Sequence, residues 1–204
     1  MKIAIIGAGN VGGALAAQWQ KAGHTITIGA RDADSPKIQK IRAELPTAAV
    51  AAIREAAQAA DVILVATPPQ FAEDIAAQMG SLNGKVLIDA TNSVRTRPEN
   101  YPTAYHAFAA LSGAEVVKCF NTTGFENMAN PLYPSGAIDM FLAGDSATAK
   151  QAARQLALDA GFAECWDFGG ADKVQLLEQF ALSWINLAIM QGHGRDLAFK
   201  VVRR

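Results

Sequence analysis

Near its start the chain reads Gly7-Ala8-Gly9-Asn10-Val11-Gly12, and these residue types at this spacing suit the holding of a phosphate. An apolar run, residues 3–6, comes just before. A helical pattern of Val11, Ala14, Leu15 and Trp19 follows and stops at Gly23. A Gly-x-Gly-x-x-Gly is informative only between a strand and a helix, and here both sides are supplied. Gly7 permits a tight turn, Gly9 leaves room for a pyrophosphate against the backbone, and Gly12 lets the helix pack closely on the strand. The free N–H groups and partial positive charge of a helix N-terminus face the same point. The motif therefore implies a dinucleotide.

Which dinucleotide is expected depends on the end of the second strand, residues 25–29. A carboxylate there bonds a ribose 2′-hydroxyl and repels a 2′-phosphate. This chain has Ala30-Arg31 instead. Arg31 attracts a 2′-phosphate and can lay its guanidinium on an adenine ring. Ser35-Pro36 reads as a helix N-cap with Pro at the first helical position, and Lys37 brings a second positive charge. Asp32 and Asp34 oppose them. On balance the expected cofactor is NADP(H).

Three further polar loops follow apolar, strand-like runs. Residues 61–66 form a run typical of a strand buried on both faces, and it ends in Thr67-Pro68-Pro69-Gln70. Residues 85–89 end in Ala90-Thr91-Asn92-Ser93, and residues 115–120 in Asn121-Thr122-Thr123-Gly124. Open α/β sheets bind ligands at the carboxyl ends of their strands, so Thr67, Pro68 and Asn92 are candidate contacts. The prolines serve equally well to stop a strand and start a helix.

The elements needed to position these loops recur along the whole chain. Helices are expected after residue 36, from Ile38, Ile41 and Leu45; across the alanine-rich residues 51–60; at 71–79; at 105–111; and at 147–160, capped by Ser146. Strands are expected at 48–50, 138–143 and 162–168. A long helix spans about 172–191. Alternating strands and helices give an α/β, Rossmann-type doubly wound, mostly parallel sheet with helices on both faces. Residues 1–204 form one domain, with 172–204 as a small C-terminal helix and tail.

Composition excludes several classes. The 204 residues are half hydrophobic and carry a net charge of −1, which argues against a nucleic-acid partner. The apolar stretch around residues 176–190 is broken by Glu178, Gln179, Ser183 and Asn186, so it reads as a buried or interface helix and not a membrane span. With a strand at its start the chain is expected to lack a signal peptide and to be cytoplasmic. Cys119 and Cys165 read as core thiols, with no disulfide expected. No Cys, His and carboxylate grouping has metal-ligand spacing. The wide apolar arc of the last helix, with Trp184 near its centre, predicts a homodimer contact.

Several segments resemble one family, the NADP oxidoreductases dependent on the deazaflavin coenzyme F-420, whose wider group includes the cytosolic domain of STEAP-type ferric reductases. They are Gly7 to Gly12, Gly29-Ala30-Arg31-Asp32, Val116-Val117-Lys118-Cys119-Phe120-Asn121-Thr122 and the ending Gly194-Arg195-Asp196-Leu197-Ala198-Phe199-Lys200. The resemblance implies NADPH at the glycine motif and a homodimer. Asn10 and Val11 would touch the pyrophosphate, and Arg31 and Lys37 the 2′-phosphate. Thr67, Pro68, Asn92 and Asn121 would line the nicotinamide end. Members of the family often carry Ser before the Arg; Ala30 lacks that hydroxyl.

The expected chemistry is hydride transfer between NADP(H) and a small-molecule acceptor, either a flavin or the deazaflavin. Such transfer depends on ring stacking more than on an acid or base. That matches a sequence without an evident acid–base pair; of its histidines, neither His106 nor His193 stands out as a proton donor. Two other readings fit the same residues. One is a dehydrogenase or imine reductase of a small substrate. The other is a non-catalytic NADPH-binding redox sensor.

Overall fold

A computed structural model describes residues 1–204. The chain begins with β1 (Lys2–Ile6), whose last four residues are buried, and passes at once into α1 (Asn10–Lys21). Gly12, Leu15, Ala16 and Trp19 make the buried face of α1, a helical spacing that lays it on the sheet. The Trp19 indole donates to the Leu156 carbonyl at 2.7 Å, which satisfies its one polar atom inside the core.

The chain then builds β2 (Thr25–Ala30), α2 (Pro36–Glu44), β3 (Ala49–Ala52), α3 (Ile53–Ala59), β4 (Val62–Val65), α4 (Ala72–Met79), β5 (Val86–Asp89), α5 (Ala104–Leu111) and β6 (Glu115–Cys119). The six strands are parallel and ordered β3-β2-β1-β4-β5-β6. The order reverses at β1, between β2 and β4. That switch point opens a crevice at the carboxyl ends of the strands. Strands β4 and β5 are buried at every position, as a sheet covered on both faces requires.

After β6 come α6 (Phe125–Ala129), a small hairpin of β7 (Leu132–Tyr133) and β8 (Gly136–Ala137), and β9 (Met140–Ala143). Strand β9 runs antiparallel to β6, because α6 and a hairpin replace a full crossover helix. Helix α7 (Ala147–Asp159) returns the chain to β10 (Cys165–Asp167), parallel to β9. The Ser146 hydroxyl caps α7 by accepting from Ala149 N–H at 3.0 Å, as its position predicts.

Two apolar cores lie on opposite faces of this eight-stranded sheet. Trp19 and Phe120 belong to one, Phe108 and Phe141 to the other. Cys119 and Cys165 are free thiols, both buried, with Sγ atoms 3.9 Å apart. Burial pushes the Cys119 thiol well above its ordinary pKa. No helix is long and apolar enough to cross a membrane.

Three local differences from the sequence reading have physical causes. Ala51 and Ala52 lie in β3, paired with Gly29 and Ala30, so strand pairing overrides the helix propensity of alanine there. Ser35 precedes α2 as predicted, but its hydroxyl donates to the Asp32 carbonyl and does not cap the helix. The long C-terminal helix is α8 (Val174–Ile185), continued by a wider π turn, Asn186–Met190.

Trp184 requires a correction. It is only 4% exposed; its indole donates to the Leu197 carbonyl at 2.7 Å, and Arg195 lies over its ring. The tail folds back onto α8 and covers it, so Trp184 is not available as the centre of a subunit contact. The exposed apolar side chains of this region are Leu176, Leu187, Ile189 and Met190.

Candidate dinucleotide site

A cleft of about 350 Å³ lies at the switch point. Gly7, Gly9, Ala30, Arg31, Lys37, Thr67 and Pro68 all line it, together with Ala8, Asp32 and Ser35. The carboxyl ends of β1, β2 and β4 thus bring together residues from three separate stretches of the sequence.

The three glycines of the motif differ in what a side chain would meet. Gly7 has φ +111°, and a Cβ there would stand 2.7 Å from the Ala66 carbonyl group. Both the turn and the close approach of the β4 loop therefore require glycine. At Gly12 a Cβ would stand 2.2 Å from the Gly7 carbonyl oxygen, so this residue lets α1 seat on the turn. At Gly9 a Cβ meets no protein atom within 4 Å. The space in front of Gly9 belongs to the cleft, where a close-approaching ligand fits.

Asn10 and Val11 form the first turn of α1. Asn10 faces a second groove, which it shares with Gly9, Lys37 and Phe125, whereas Val11 packs partly into the core. Gly12 is buried beneath the turn and supports it without reaching the cleft.

At the far side of the cleft Arg31 stands with its Cζ 6.0 Å from the centre of the Phe71 ring. Sequence reading missed Phe71 as a neighbour of Arg31, since the two lie on loops after different strands. Asp32 lines the same cleft, and its Oδ1 accepts from the Asp34 N–H at 2.9 Å and shapes the loop. The Lys37 N–H lies in the first turn of α2, where backbone donors lack intrahelical partners.

Asn92 and Asn121 lie beyond the cleft, at the ends of β5 and β6. They hold each other: Asn92 Nδ2 donates to the Asn121 carbonyl at 2.9 Å, and Asn121 Nδ2 to Asn92 Oδ1 at 3.0 Å. Three buried oxygens along this row, Thr67 Oγ1, Thr91 Oγ1 and Asn121 Oδ1, lack a hydrogen-bond partner. Buried polar atoms are nearly always paired, so a row of unpaired oxygens at three adjacent strand ends points to a ligand with donors.

Phe120 starts the last of these loops with φ +60°, the one residue other than glycine with positive φ. It is held there by edge-on packing against Trp19 at 5.5 Å and by Phe162 at 6.4 Å. A left-handed residue of this kind costs about 1–3 kcal/mol and persists where the surroundings impose it. Nothing in its residue type signals the conformation.

The structure also reveals a buried ion cluster. Lys118 Nζ lies 2.9 Å from Asp89 Oδ2 and 2.6 Å from Glu178 Oε1, all three side chains being almost wholly buried. Glu178 had read merely as a break in an apolar helix. A carboxylate at an otherwise inward-facing helical position was the available signal.

His106 sits near this cluster, bonded to Thr103 Oγ1 at 2.8 Å. Burial, more than the nearby charges, holds its pKa below the ordinary 6.5. No group of His, Cys, Asp and Glu side chains has the arrangement to hold a metal ion.

Comparison with known proteins agrees with this geometry. Residues 2–93 match the family described as "NADP oxidoreductase coenzyme F420-dependent". The match spans the glycine motif, Arg31 and Lys37, Thr67 and Asn92, and it assigns the chain to the NADP-dependent oxidoreductases. Among solved structures, a candidate F420-dependent NADP-reductase from Arthrobacter sp. FB24 superposes with a TM-score of 0.86 at 27% identity, covering 100% of both chains. A hypothetical protein from Sinorhizobium meliloti gives 0.72 at 24% identity, covering 100% of this chain and 96% of that one. A reductive aminase from Aspergillus terreus, solved with NADPH, gives 0.70 at 23% identity. It shares the fold over 94% of this chain, which spans only 63% of its own length.

Proposed function

We propose that the chain binds NADPH across the switch-point crevice and passes its hydride to a flavin-like or deazaflavin acceptor. The observation that carries the reading is the placement of Arg31 and Lys37 on one cleft, with Arg31 and not a carboxylate directly after the end of β2. The residues present fit the cofactor in three other ways. The space before Gly9 admits a pyrophosphate, the α1 N-terminus faces it, and unpaired oxygens wait along the strand ends.

When bound, NADPH supplies a hydride. The chain's own part is to bind and orient. Arg31, Lys37 and the first turn of α2 hold the 2′-phosphate end by charge and by backbone donors. Thr67, Thr91 and Asn121 accept from hydroxyl or amide donors at the other end, and the Asn92–Asn121 pair fixes that acceptor in place. Flavin-type rings receive hydride by stacking, and the carboxylates beside these residues, Asp89 and Glu178, are both engaged by Lys118.

The test is NADPH oxidation against a panel of flavins, deazaflavins and quinones, with a ketone and amine mixture beside them. Turnover with a flavin-type ring is the expected result. Turnover confined to the ketone and amine mixture would move the assignment to imine reduction. Tight NADPH binding with no turnover on any acceptor would leave a sensor.

A further inference from the structure

We infer that Lys118 and Glu178 are positioning residues for the nicotinamide end of the site, so that the C-terminal helix α8 sets the geometry of a loop two strands away. The inference rests on the proposed placement of that end at Asn92 and Asn121.

The chain of contacts is continuous. Lys118, wholly buried on β6, binds both Asp89 at the end of β5 and Glu178 on α8. Neither carboxylate spends itself on the lysine alone. The second oxygen of Asp89, Oδ1, accepts from Thr91 N–H at 2.9 Å. The second oxygen of Glu178, Oε2, accepts from Ser93 N–H at 3.1 Å. Asn92 lies between these two backbone donors, so its peptide is gripped on both sides by carboxylates that one ammonium holds in place. The Ser93 hydroxyl in turn accepts from Ala104 N–H at 3.1 Å and fastens the loop to α5. Asn92 then holds Asn121, whose Oδ1 is unpaired.

Three buried charges are a costly way to add stability; apolar residues of similar volume often serve better. Directional bonds to two consecutive-but-one N–H groups give what apolar packing lacks, a fixed orientation for the residue between them. Buried hydrogen-bonded networks of this kind rigidify what they hold. The cluster is also the point where α8 enters the site. Of the C-terminal residues 172–204, Glu178 alone reaches this row of loops through a side-chain hydrogen bond to a β5 loop residue.

The experiment compares two ligands on Glu178→Gln and Lys118→Met. NADPH engages the whole crevice, while adenosine 2′,5′-bisphosphate carries only the adenine and 2′-phosphate end. Each is titrated by calorimetry, with the fluorescence of bound NADPH reporting the surroundings of its nicotinamide. Both variants should bind the bisphosphate within twofold of wild type. They should bind NADPH about tenfold or more weakly, as expected when hydrogen bonds to a displaced loop are lost, and the fluorescence of bound NADPH should revert toward that of free NADPH. If Lys118→Met fails to fold, Glu178→Gln carries the test, since it keeps the volume and removes one charge. Equal weakening of both ligands would show a merely structural role and overturn the inference. So would unchanged NADPH binding in the variants. Asn92→Ala separates the two layers of the argument. If it weakens NADPH while the cluster variants do not, the positioning role fails and the site stands. If it also leaves NADPH binding and fluorescence untouched, the nicotinamide end lies elsewhere and both fail.

Discussion

Gly9 and Gly12 belong to one motif, yet their substitution should fail in opposite ways. A Cβ at Gly9 meets no protein atom within 4 Å, and the residue has an ordinary extended conformation, φ −93° and ψ −167°. Gly9→Val should therefore fold as the wild type does. Its side chain enters the space assigned to the pyrophosphate. At Gly12 the added carbon would lie 2.2 Å from the Gly7 carbonyl oxygen and 3.0 Å from Ile5 Cγ2. Neither the backbone oxygen nor the core isoleucine can yield freely, so α1 must shift. Overpacking of this kind costs about 1–3 kcal/mol. For a domain of this size each kcal/mol lowers Tm by roughly 2–4 °C, so Gly12→Ala should melt about 2–12 °C below wild type. NADPH at a hundred times its Kd stabilises by about 2.7 kcal/mol, worth roughly 5–11 °C. Thermal melts of the three proteins with and without NADPH provide the assay. Gly9→Val should match the wild-type Tm without ligand and gain nothing from it. Gly12→Ala should start lower. A Gly9→Val protein that NADPH still raises by several degrees would refute the placement of the pyrophosphate.

Arg31→Ala should weaken NADPH by about tenfold and leave NADH nearly unchanged; Arg31 is exposed on the rim, which favours the low end of the 1.5–3 kcal/mol range for charged hydrogen bonds, and equal losses would remove its 2′-phosphate role. His106 titrates in the unfolded chain near 6.5 and lower in the fold, so the unfolded state binds the extra proton in the window below 6.5. The stability it contributes is present above about pH 6.5 and is lost as pH falls through the lowered folded value; His106→Gln should flatten that part of the Tm profile, and an unchanged profile would assign the slope to other groups. A homodimer is proposed through the exposed Leu187 and Met190, which form part of one apolar groove with Phe180 and Phe199, and the exposed Ile189 near them in sequence. Sedimentation should then show twice the chain mass at micromolar concentration, and Leu187→Glu with Met190→Glu should give folded, NADPH-binding monomers; a wild type that stays monomeric throughout would end the proposal.

Much of the fold was legible because most strands carried their own punctuation. Five of the six parallel strands end in loops carrying Gly, Pro, Asn or Asp, and the apolar runs of β4, β5 and β6 match a sheet covered on both faces; β3 runs straight into α3 without such a signal. The cleft was legible for the same reason. Gly7, Arg31 and Thr67 stand at strand ends, and topology alone brings strand ends together. What the sequence hid were interactions set by side-chain direction. Trp184 looked like the middle of an exposed apolar arc, but a tail with no periodic pattern folds over it and its indole finds the Leu197 carbonyl. The partnership of Lys118 with Glu178 spans sixty positions, and although each is a charge within an apolar run, nothing local pairs the two. The positive φ of Phe120 comes from packing against Trp19 and Phe162, both distant in sequence.

The tail's contacts bear on why the family match can end at residue 93 while the fold continues to the end of the chain. The cleft proposed for the adenine half is built from the ends of β1, β2 and β4 and their loops. The other half needs β5, β6 and whatever packs on them. In this chain that is α8 and the tail. Arg195 bonds Glu126 Oε2 at 3.0 Å and lies over both Phe125 and Trp184. Asn127 donates to the Leu197 carbonyl at 2.9 Å and accepts from the Tyr133 hydroxyl at 2.7 Å. Together these bind the segment after Asn121 to the last residues of the chain. The Arg195–Glu126 pair is partly exposed and is worth little by itself. The effect of these contacts together is to fix α6 beside the α1 groove, where Phe125 faces Asn10. A protein that shares the dinucleotide half but replaces this final segment keeps its cofactor and changes the wall beside it. On that reasoning we propose that acceptor choice in this chain rests on residues after Asn121, and cofactor choice on residues before Pro46.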